Sequence, residues 1–400
     1  MAGVLDGIRV VDLTTVILGP WATQMLGDMG ADVIKVETPE GDTTRQTGDR
    51  RNPGMAAFFM ASNRNKRSVV LDLRQEEGRA ALFRLVGTAD VFVHNMRPAI
   101  AARLGLDDDR FMAAYPGLIY VKTYGFRADG PMANKPAYDD VIQAASGITD
   151  LQTVTSPGGE PRYVPTIMAD KTSSFHVLSA VLGALFHRER SGEGQVIEVP
   201  MFEALVDYLM VEHINGARFD PPVGEMGYAR LLNKMRRPYA TRDGYLAVLP
   251  YTTQNWLDLF RIAGRADLAA DPRFADLATR TRHSEEIYGI LSEIVATRTT
   301  AEWQRDLDAA AIPVQRVNSK EDLLSDPQLL ATGFWRFEEH PTEGRIRLTD
   351  PPVRFSRTPS TIRRLQPNLG EHSREVLAEA GYSVAEVEAF LASGVTAQFG

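Results

Sequence analysis

The side chain of this sequence best placed for chemistry is the carboxylate of Asp170. An apolar segment ends there, and the spacing of apolar residues after it predicts a helix over residues 171–189. Free N–H groups of a first helical turn and the positive end of the helix dipole favour an ionised carboxylate at such a point. Aspartate is also a preferred N-cap residue, so Asp170 taken alone is better explained as a helix cap.

Other kinds of reactive centre find little support in the sequence. It contains no cysteine, which excludes a thiol nucleophile, a thiolate metal site and disulfides. None of its seven histidines has a partner at zinc-binding spacing, so we expect no metal site. The serine-hydrolase elbow, the glycine-rich dinucleotide fingerprint and the phosphate-binding P-loop are all missing. Carboxylate chemistry remains, with Asp170 and Asp139 as candidates and Tyr138 beside Asp139.

Two groups of polar side chains could contact a phosphorylated ligand. The first is a compact basic run just before a strand pattern, formed by Arg64, Lys66 and Arg67. Arginine forks match phosphate oxygens, although most isolated basic runs are solvated loops. The second group follows the end of a later strand and comprises Asn95, Arg97 and Arg103. Open α/β sheets place ligands at that edge.

The elements that must position these residues alternate between strand and helix patterns over the first two hundred residues. Such alternation predicts an α/β fold with a mostly parallel, Rossmann-like sheet covered by helices. From residue 216 the chain becomes rich in Gly, Pro and Arg, which is typical of a linker, and then shows a smaller α/β pattern. We therefore assign residues 1–215 and 330–400 to a large catalytic domain, and residues 216–329 to the linker and a small domain.

Composition sets the broad class of the protein. The 400 residues are 44% apolar and 24% charged, as in globular proteins of about two domains. A net charge of −8 argues against a nucleic-acid partner. No apolar run reaches the length of a membrane span, and no secretory signal is visible. We expect a cytoplasmic enzyme without a membrane partner.

Beyond these features, the sequence resembles the family III CoA-transferases, a group that also contains the α-methylacyl-CoA racemases. The resemblance runs from residues 5–10 to residues 369–373, nearly the whole chain. It is carried by residues 30–37, 65–68, 116–120, 125–126, 130–131 and 191–195, together with Asn95, Pro98, Tyr138, Asp139, Asp170 and Arg188. Each motif is weak alone, but their order and spacing are specific.

The resemblance implies that Asp170 attacks an acyl-CoA carbonyl and passes through an anhydride and an aspartyl-CoA thioester before an acceptor acid takes the CoA. A carboxylate can do this without a general base. It also implies that the CoA site contains Val16, Asn95, Arg97, Arg103, Tyr138 and Asp139, with residues 64–67 approaching its phosphates. Members form interlocked homodimers. Acyl-CoA and a carboxylic acid are then the substrates, with no permanently bound cofactor and no metal.

Departures from the family pattern narrow the range of possible substrates and reactions. The glycine-rich loop of oxalate-using members is absent, residues 250–255 stand in the comparable region, and Ile17 replaces a glutamine. Both changes argue against oxalate. Tyr138 replaces the histidine of the racemase branch, and a phenol with a pKa of about 10 is a poor base for carbon deprotonation. The alternatives are a racemase or epimerase and a CoA-thioester-binding protein without turnover. A dicarboxylic acceptor could pair with Arg45, Lys171 or Arg230.

Overall fold

The computed structural model describes residues 2–400 and divides the chain into two compact units. The large unit comprises the chain up to Ile148, Tyr163–Tyr208 and Leu330–Gly400. The small unit comprises Thr149–Arg162 and Leu209–Leu329. The C-terminal tail thus belongs to the same unit as the N-terminal half of the chain.

A six-stranded sheet forms the centre of the large unit. Its strands are β1 (Arg9–Leu13), β2 (Asp32–Glu37), β3 (Lys66–Val70), β4 (Val91–His94), β5 (Ile119–Tyr124) and β6 (Gln195–Pro200). All neighbouring strands pair in parallel, in the order β3-β2-β1-β4-β5-β6. The predicted parallel α/β sheet is confirmed, and its strand order is that of the doubly wound dinucleotide-binding folds.

Five further strands form two smaller antiparallel sheets. The small unit contains β7 (Tyr239–Ala240), β8 (Tyr245–Val248) and β9 (Val314–Arg316), and the large unit contains the hairpin of β10 (Trp335–His340) and β11 (Gly344–Thr349). The sequence pattern did not predict β10, because the residues of this strand include both aromatic and charged types and the strand remains partly exposed.

Helices connect and cover these strands. In chain order they are α1 (Leu18–Asp28), α2 (Ala57–Met60), α3 (Glu76–Val86), α4 (Pro98–Arg103), α5 (Asp108–Ala114), α6 (Asp139–Ser146), α7 (Ile148–Leu151), α8 (Met168–Ser191), α9 (Met201–His213), α10 (Thr253–Ala263), α11 (Leu277–Arg282), α12 (Ser284–Val295), α13 (Thr300–Ala309), α14 (Pro327–Ala331), α15 (Ser373–Glu379) and α16 (Val384–Ser393). No helix within residues 2–400 is long and apolar enough to span a membrane.

The core of the large unit explains why its strands are so apolar. One face of the sheet, including Val11, Phe92 and Tyr120, packs against α3, α5, α15 and α16. These strand side chains are fully buried, as expected for a parallel sheet covered by helices. Burial of apolar surface stabilises the fold by on the order of 25 cal/mol per Å². It is the main contribution that holds the strand ends, and the loops after them, in place.

The small unit has a core of its own. Trp256, Leu291 and Trp303 are among the buried side chains that its helices and its three-stranded sheet enclose. Residues 250–255 lead from β8 into α10, where Thr252 and Asn255 form a reciprocal capping box.

Candidate active site

The N-terminus of α8 carries Asp170, but not as its cap. The helix begins at Met168, three residues earlier than predicted, so Asp170 is the third helical residue. The carboxylate that satisfies the free N–H groups is Asp139, the first residue of α6. Its Oδ1 accepts from the backbone N of Ala169 at 2.7 Å and of Asp170 at 3.2 Å. The expectation that Asp170 caps the helix was therefore wrong, because a distant aspartate occupies that position.

The Asp170 side chain is only 8% exposed and accepts one hydrogen bond, from the backbone N of Leu18 to Oδ1 at 3.1 Å. Burial raises its pKa to about 7, and the charge of Asp139 adds to the effect, while the Leu18 N–H opposes it. We expected the helix end to keep Asp170 ionised. Because Asp139 already binds the helix N–H groups, Asp170 faces a like charge instead.

Leu18 is the first residue of α1, and the turn between β1 and α1 that leads to it is held in an unusual conformation. Val16 has φ of +71°, a region that β-branched residues seldom adopt. Its backbone N donates to Asp42 Oδ1 at 3.3 Å. On the preceding residue, Asn95 Oδ1 accepts from the N of Thr15 at 3.1 Å and Asn95 Nδ2 donates to its carbonyl at 2.8 Å. The turn is thus fixed on two sides next to Asp170.

A buried ion network supports the same turn from inside the sheet. Lys66 Nζ donates to Asp12 Oδ2 at 2.9 Å and to the Pro20 carbonyl at 2.8 Å. Lys35 Nζ donates to Asp42 Oδ2 and to the Thr14 carbonyl, both at 2.9 Å. Both lysines are fully buried. Burial lowers the pKa of Lys66 to about 8 although Asp12 opposes the shift. These lysines bind backbone carbonyls at both ends of the turn and so fix its course.

The turn and Asn95 flank the point where the strand order of the large sheet reverses. Asn95 follows β4, and β1 and β4 are the central pair from which the chain proceeds outward in both directions. Ligands of open α/β sheets bind at the carboxyl ends of such strands. The polar groups beside Asp170 therefore stand where this architecture binds ligands.

Three other predicted ligand contacts lie on the loops and helices that follow these strands. Arg97 donates to the Asn134 carbonyl at 2.8 Å and precedes α4. Arg103 is exposed at the end of α4 and has no carboxylate within 4.0 Å among residues 2–400. Tyr138 is 72% exposed and immediately precedes α6. All three remain accessible to a ligand.

The basic run before β3 has a different environment from the one expected. Arg64 pairs with Asp28, with Nη2 2.7 Å from Oδ2, and Lys66 pairs with Asp12. Arg67 is 3% exposed and contacts three carboxylates, those of Asp32, Glu375 and Glu379. All three cations are buried in ion pairs, which argues for a structural role and against a phosphate clamp. Although β3 is an edge strand of the sheet, all five of its residues are buried, so the basic side chains on it and before it lie among protein carboxylates and not in solvent.

Arg45 is equally unavailable to a substrate. Its guanidinium makes a bidentate pair with Glu37, at 2.7 Å through both Nε and Nη2, and also donates to the Pro367 and Gly54 carbonyls.

The other two candidate cations for a dicarboxylic acceptor have neutral partners. Lys171, beside Asp170, donates to Thr166 Oγ1 at 2.7 Å and is partly exposed. Arg230 lies in the small unit, where its Nε donates to the Tyr288 hydroxyl at 3.0 Å.

Two residues that contribute to the site, Leu18 and Asp42, were not indicated by the sequence. Leu18 contributes only its backbone N–H, which no residue type signals. Its position directly after β1 in a predicted α/β sheet was the available signal. Asp42 is seven residues from Lys35 and became identifiable only once the strand had brought Lys35 beneath the turn.

Within residues 2–400, no group of three or more His, Asp or Glu side chains is arranged to hold a metal ion.

The sequence profile of CoA-transferase family III matches residues 5–373. The chain belongs to this family. It is an enzyme that transfers coenzyme A, and CoA thioesters are its substrates, as predicted.

Named relatives agree with this assignment. Succinate–glutarate CoA-transferase of Agrobacterium fabrum is 37% identical over 388 residues, which cover 94% of this chain and 95% of the relative. Succinyl-CoA:glutarate CoA-transferase of Mus musculus is 31% identical over 397 residues, with 98% and 90% coverage. The crystal structure of a CaiB/BaiF family protein from Brucella suis superposes with a TM-score of 0.80 at 32% identity, covering 95% of this chain and 100% of that one.

Proposed function

We propose that the protein moves CoA from an acyl-CoA donor to a dicarboxylic acid, with Asp170 as the covalent nucleophile. The observation that carries the proposal is the Asp170 carboxylate, which is buried at the carboxyl edge of the sheet and contacts one backbone N–H and no cation. A carboxylate with few hydrogen bonds and little hydration is a better nucleophile than an ion-paired one. Two relatives are named for transfer between succinate and glutarate, both dicarboxylates.

In the first step an oxygen of ionised Asp170 attacks the thioester carbonyl carbon. The C–S bond breaks, the CoA thiolate leaves and a mixed anhydride forms. The thiolate then attacks the aspartyl carbonyl, which releases the donor acid as a carboxylate and leaves an aspartyl-CoA thioester. The acceptor carboxylate repeats the two steps in reverse and leaves as its CoA thioester, with Asp170 restored. No net proton transfer is required, so no general base is needed.

The pKa of about 7 is compatible with this chemistry, since roughly half of Asp170 is ionised at neutral pH. Asp139 has the complementary role of holding the start of α8. We assign CoA binding to the switch-point crevice, with Val16 and Asn95 shaping the turn, and with Arg97, Arg103 and Tyr138 as accessible contacts.

The test is covalent trapping. Purified protein is incubated with succinyl-CoA and hydroxylamine, with and without glutarate, and analysed by peptide mass spectrometry. We expect a hydroxamate on Asp170 in the wild type and none in Asp170→Ala. The control is Asp140→Ala, an exposed aspartate on the same α6 turn as Asp139, which should retain trapping. Transfer by Asp170→Ala at a rate near that of the wild type would exclude the proposal.

One observation also favours a second function, acyl-CoA racemisation. A carboxyl with a pKa near 7 is well matched to abstraction of a proton next to a thioester carbonyl. Incubation of a 2-methylacyl-CoA in deuterated water distinguishes the two functions. Exchange of the α-proton without transfer to any acid would replace our assignment.

We further propose that the protein is an interlocked homodimer located in the cytoplasm, with catalysis in the large unit and no metal or permanently bound cofactor. Support for the dimer comes from α8, which buries Val177 and Val181 on one side while Phe175 and Phe186 remain 55% and 66% exposed. Large apolar side chains left exposed on a helix are typical of a surface that another molecule covers. Light scattering on the purified protein should give twice the 44.2 kDa chain mass.

A further inference from the structure

The side chain of Gln143 joins α6 to the segment that leads into α8. Gln143 lies one helical turn after Asp139 and is only 1% exposed. Its Nε2 donates to Asp139 Oδ2 at 2.6 Å and to the Thr166 carbonyl at 3.0 Å, while its Oε1 accepts from the backbone N of Val164 at 2.9 Å. Because a backbone N–H can only donate and a carbonyl can only accept, these partners fix the orientation of the amide.

Asp139 divides its two carboxylate oxygens between α8 and Gln143. Its Oδ1 accepts from the backbone N of Ala169 and of Asp170, and its Oδ2 accepts from Gln143. The terminal torsion of an aspartate has broad minima, so hydrogen bonds at both oxygens decide how the carboxylate is turned. Gln143 therefore sets the orientation in which Asp139 meets the first turn of α8.

The other hydrogen bonds of Gln143 hold the chain where it returns to the large unit. Thr149–Arg162 belong to the small unit, and the chain re-enters the large unit at Tyr163. Residues 163–167 form neither helix nor strand, and α8 begins directly after them. Backbone groups outside regular elements need other partners, and the buried Gln143 amide supplies them for Val164 and Thr166.

We propose that Gln143 is a positioning residue for CoA transfer, because it holds Asp139 and the segment before α8 in the arrangement that places Asp170 beside the Leu18 N–H. This rests on the proposed role of Asp170 as the nucleophile. Gln143 does not bond the Asp170 carboxylate, whose hydrogen bond comes from Leu18, and acts through its neighbours. Displacement of a reacting group by about 1 Å can cost about a hundredfold in rate, so such support matters.

The first experiment replaces Gln143 with methionine, which is similar in size but cannot make these hydrogen bonds. We expect kcat for CoA transfer to fall by roughly tenfold or more, the factor expected for one hydrogen bond to a charged group. KM for the acyl-CoA should stay within about twofold, because the accessible ligand contacts are unchanged. Wild-type kcat in folded Gln143→Met would overturn the proposal.

The matched control is Gln24→Met. Gln24 is a buried glutamine of α1 that also bonds two backbone groups, the Ala61 carbonyl and the Arg64 N, but it has no link to Asp139. Its substitution should leave kcat as in the wild type. An equal loss of kcat in Gln24→Met would mean that the loss of any buried glutamine impairs the enzyme, and the specific role of Gln143 would be wrong.

A pH profile shows whether the effect passes through Asp139. The elements packed against α8 are α1, α6, β5 and β6, and Asp139 is the one charged group among residues 2–400 that shifts the pKa of Asp170. In Gln143→Met the inflection of kcat/KM should move to lower pH, because Asp139 is held less firmly beside Asp170. Added to Asp139→Asn, the same substitution should not move the inflection further. Equal shifts in both backgrounds would contradict the proposal.

Amide hydrogen exchange separates this proposal from the role of Asp170, because it requires no substrate. Deuterium uptake by peptides that cover residues 163–171 should be faster in Gln143→Met than in the wild type and unchanged in Gln24→Met. Unchanged uptake in Gln143→Met would overturn the positioning role even if Asp170→Ala abolishes transfer. Faster uptake together with full transfer by Asp170→Ala would remove only the assignment of the nucleophile.

Two further substitutions keep the experiment decisive. If Gln143→Met does not fold, Gln143→Asn replaces it, because a side chain one methylene shorter stays polar but cannot reach both sets of partners. Gln143→Glu keeps the length and an acceptor for the Val164 N–H, but above neutral pH it has no donor for Asp139. It should therefore fail to restore kcat. Wild-type activity of Gln143→Glu at pH 8 would show that the bond to Asp139 is not needed.

Discussion

Asp12 and Asp170 are both buried aspartates beside the turn between β1 and α1, yet they are in opposite states. Asp12 is completely buried and has Lys66 Nζ at 2.9 Å and Thr23 Oγ1 at 2.6 Å. Burial alone would raise its pKa, but Lys66 and Lys35 lower it to about 2. Asp170 has one N–H donor and faces Asp139, and its pKa is about 7.

The difference shows that partners, more than depth, decide what a buried carboxylate does. A paired carboxylate is permanently charged, stabilises its surroundings and is a poor nucleophile. An unpaired one is costly to ionise, and part of that cost is released when it forms a covalent bond. In this enzyme the paired aspartates hold the turn, and the turn presents Leu18 to the unpaired one.

The largest expected effect comes from removing the charge of Asp12, the paired aspartate. Asp12→Asn leaves Lys66 buried without its counter-charge and should lower the free energy of unfolding by about 3–5 kcal/mol. Urea denaturation followed by circular dichroism measures it. The matched control is Asp267→Asn, which breaks an exposed pair with Arg265 and should change stability by less than about 1 kcal/mol. A similar small effect at Asp12 would mean that the network does not support the fold.

Asp170→Asn, in contrast, should increase the free energy of unfolding above neutral pH and should abolish CoA transfer. The pKa of Asp170 is raised in the folded state, so the unfolded chain releases its proton first, and stability falls as pH rises from about 4 to about 7. The variant lacks this loss and should be about 2–4 kcal/mol more stable at pH 8, with no gain below pH 4. Transfer should fall by roughly a thousandfold or more. Destabilisation at pH 8 would contradict the assignment of Asp170 as an unpaired carboxyl.

Asp139→Asn tests how much the like charge beside Asp170 contributes to its state. The substitution removes that charge but keeps a side-chain oxygen that can accept from the backbone N of Ala169 and of Asp170. The pH profile of kcat/KM for CoA transfer should rise with an inflection near 7 in the wild type, because in the proposed mechanism only ionised Asp170 attacks. In the variant the inflection should move to lower pH, because the like charge that raises the pKa of Asp170 is gone. It should stay above the ordinary aspartate value, since burial is the larger cause. An unmoved inflection would show that Asp139 does not act on Asp170.

The smallest effect concerns the turn itself. Val16→Gly removes a β-branched residue from the left-handed region and should stabilise the fold by about 0.5–1 kcal/mol, after allowance for the added freedom of glycine. A looser turn should place the Leu18 N–H less well and reduce kcat severalfold. Thermal unfolding and steady-state kinetics measure the two changes. Loss of stability would indicate that Val16 packing outweighs its backbone strain.

Strand positions were predictable because buried parallel strands are continuous apolar runs. The apolar runs at residues 91–94 and 118–124 predict two strands, and β4 and β5 match these ranges to within one residue. Helix starts were less predictable, since α8 begins at Met168 with a cap supplied from α6. The role of Arg64, Lys66 and Arg67 was also out of reach, because a basic run on a covered strand and one on a loop have the same local sequence.

The sequence alone determined the family and the parallel sheet, and it singled out Asp170 as the candidate nucleophile, because each depends on residue types in a fixed order. Only the tertiary structure decided the electrostatic state of that aspartate. Leu18 and Asp170 are 152 positions apart, and Asp139 and Asp170 are 31 apart. Whether a carboxylate meets a lysine, a backbone N–H or another carboxylate depends on distances of a few ångströms between such segments. No local pattern records those distances.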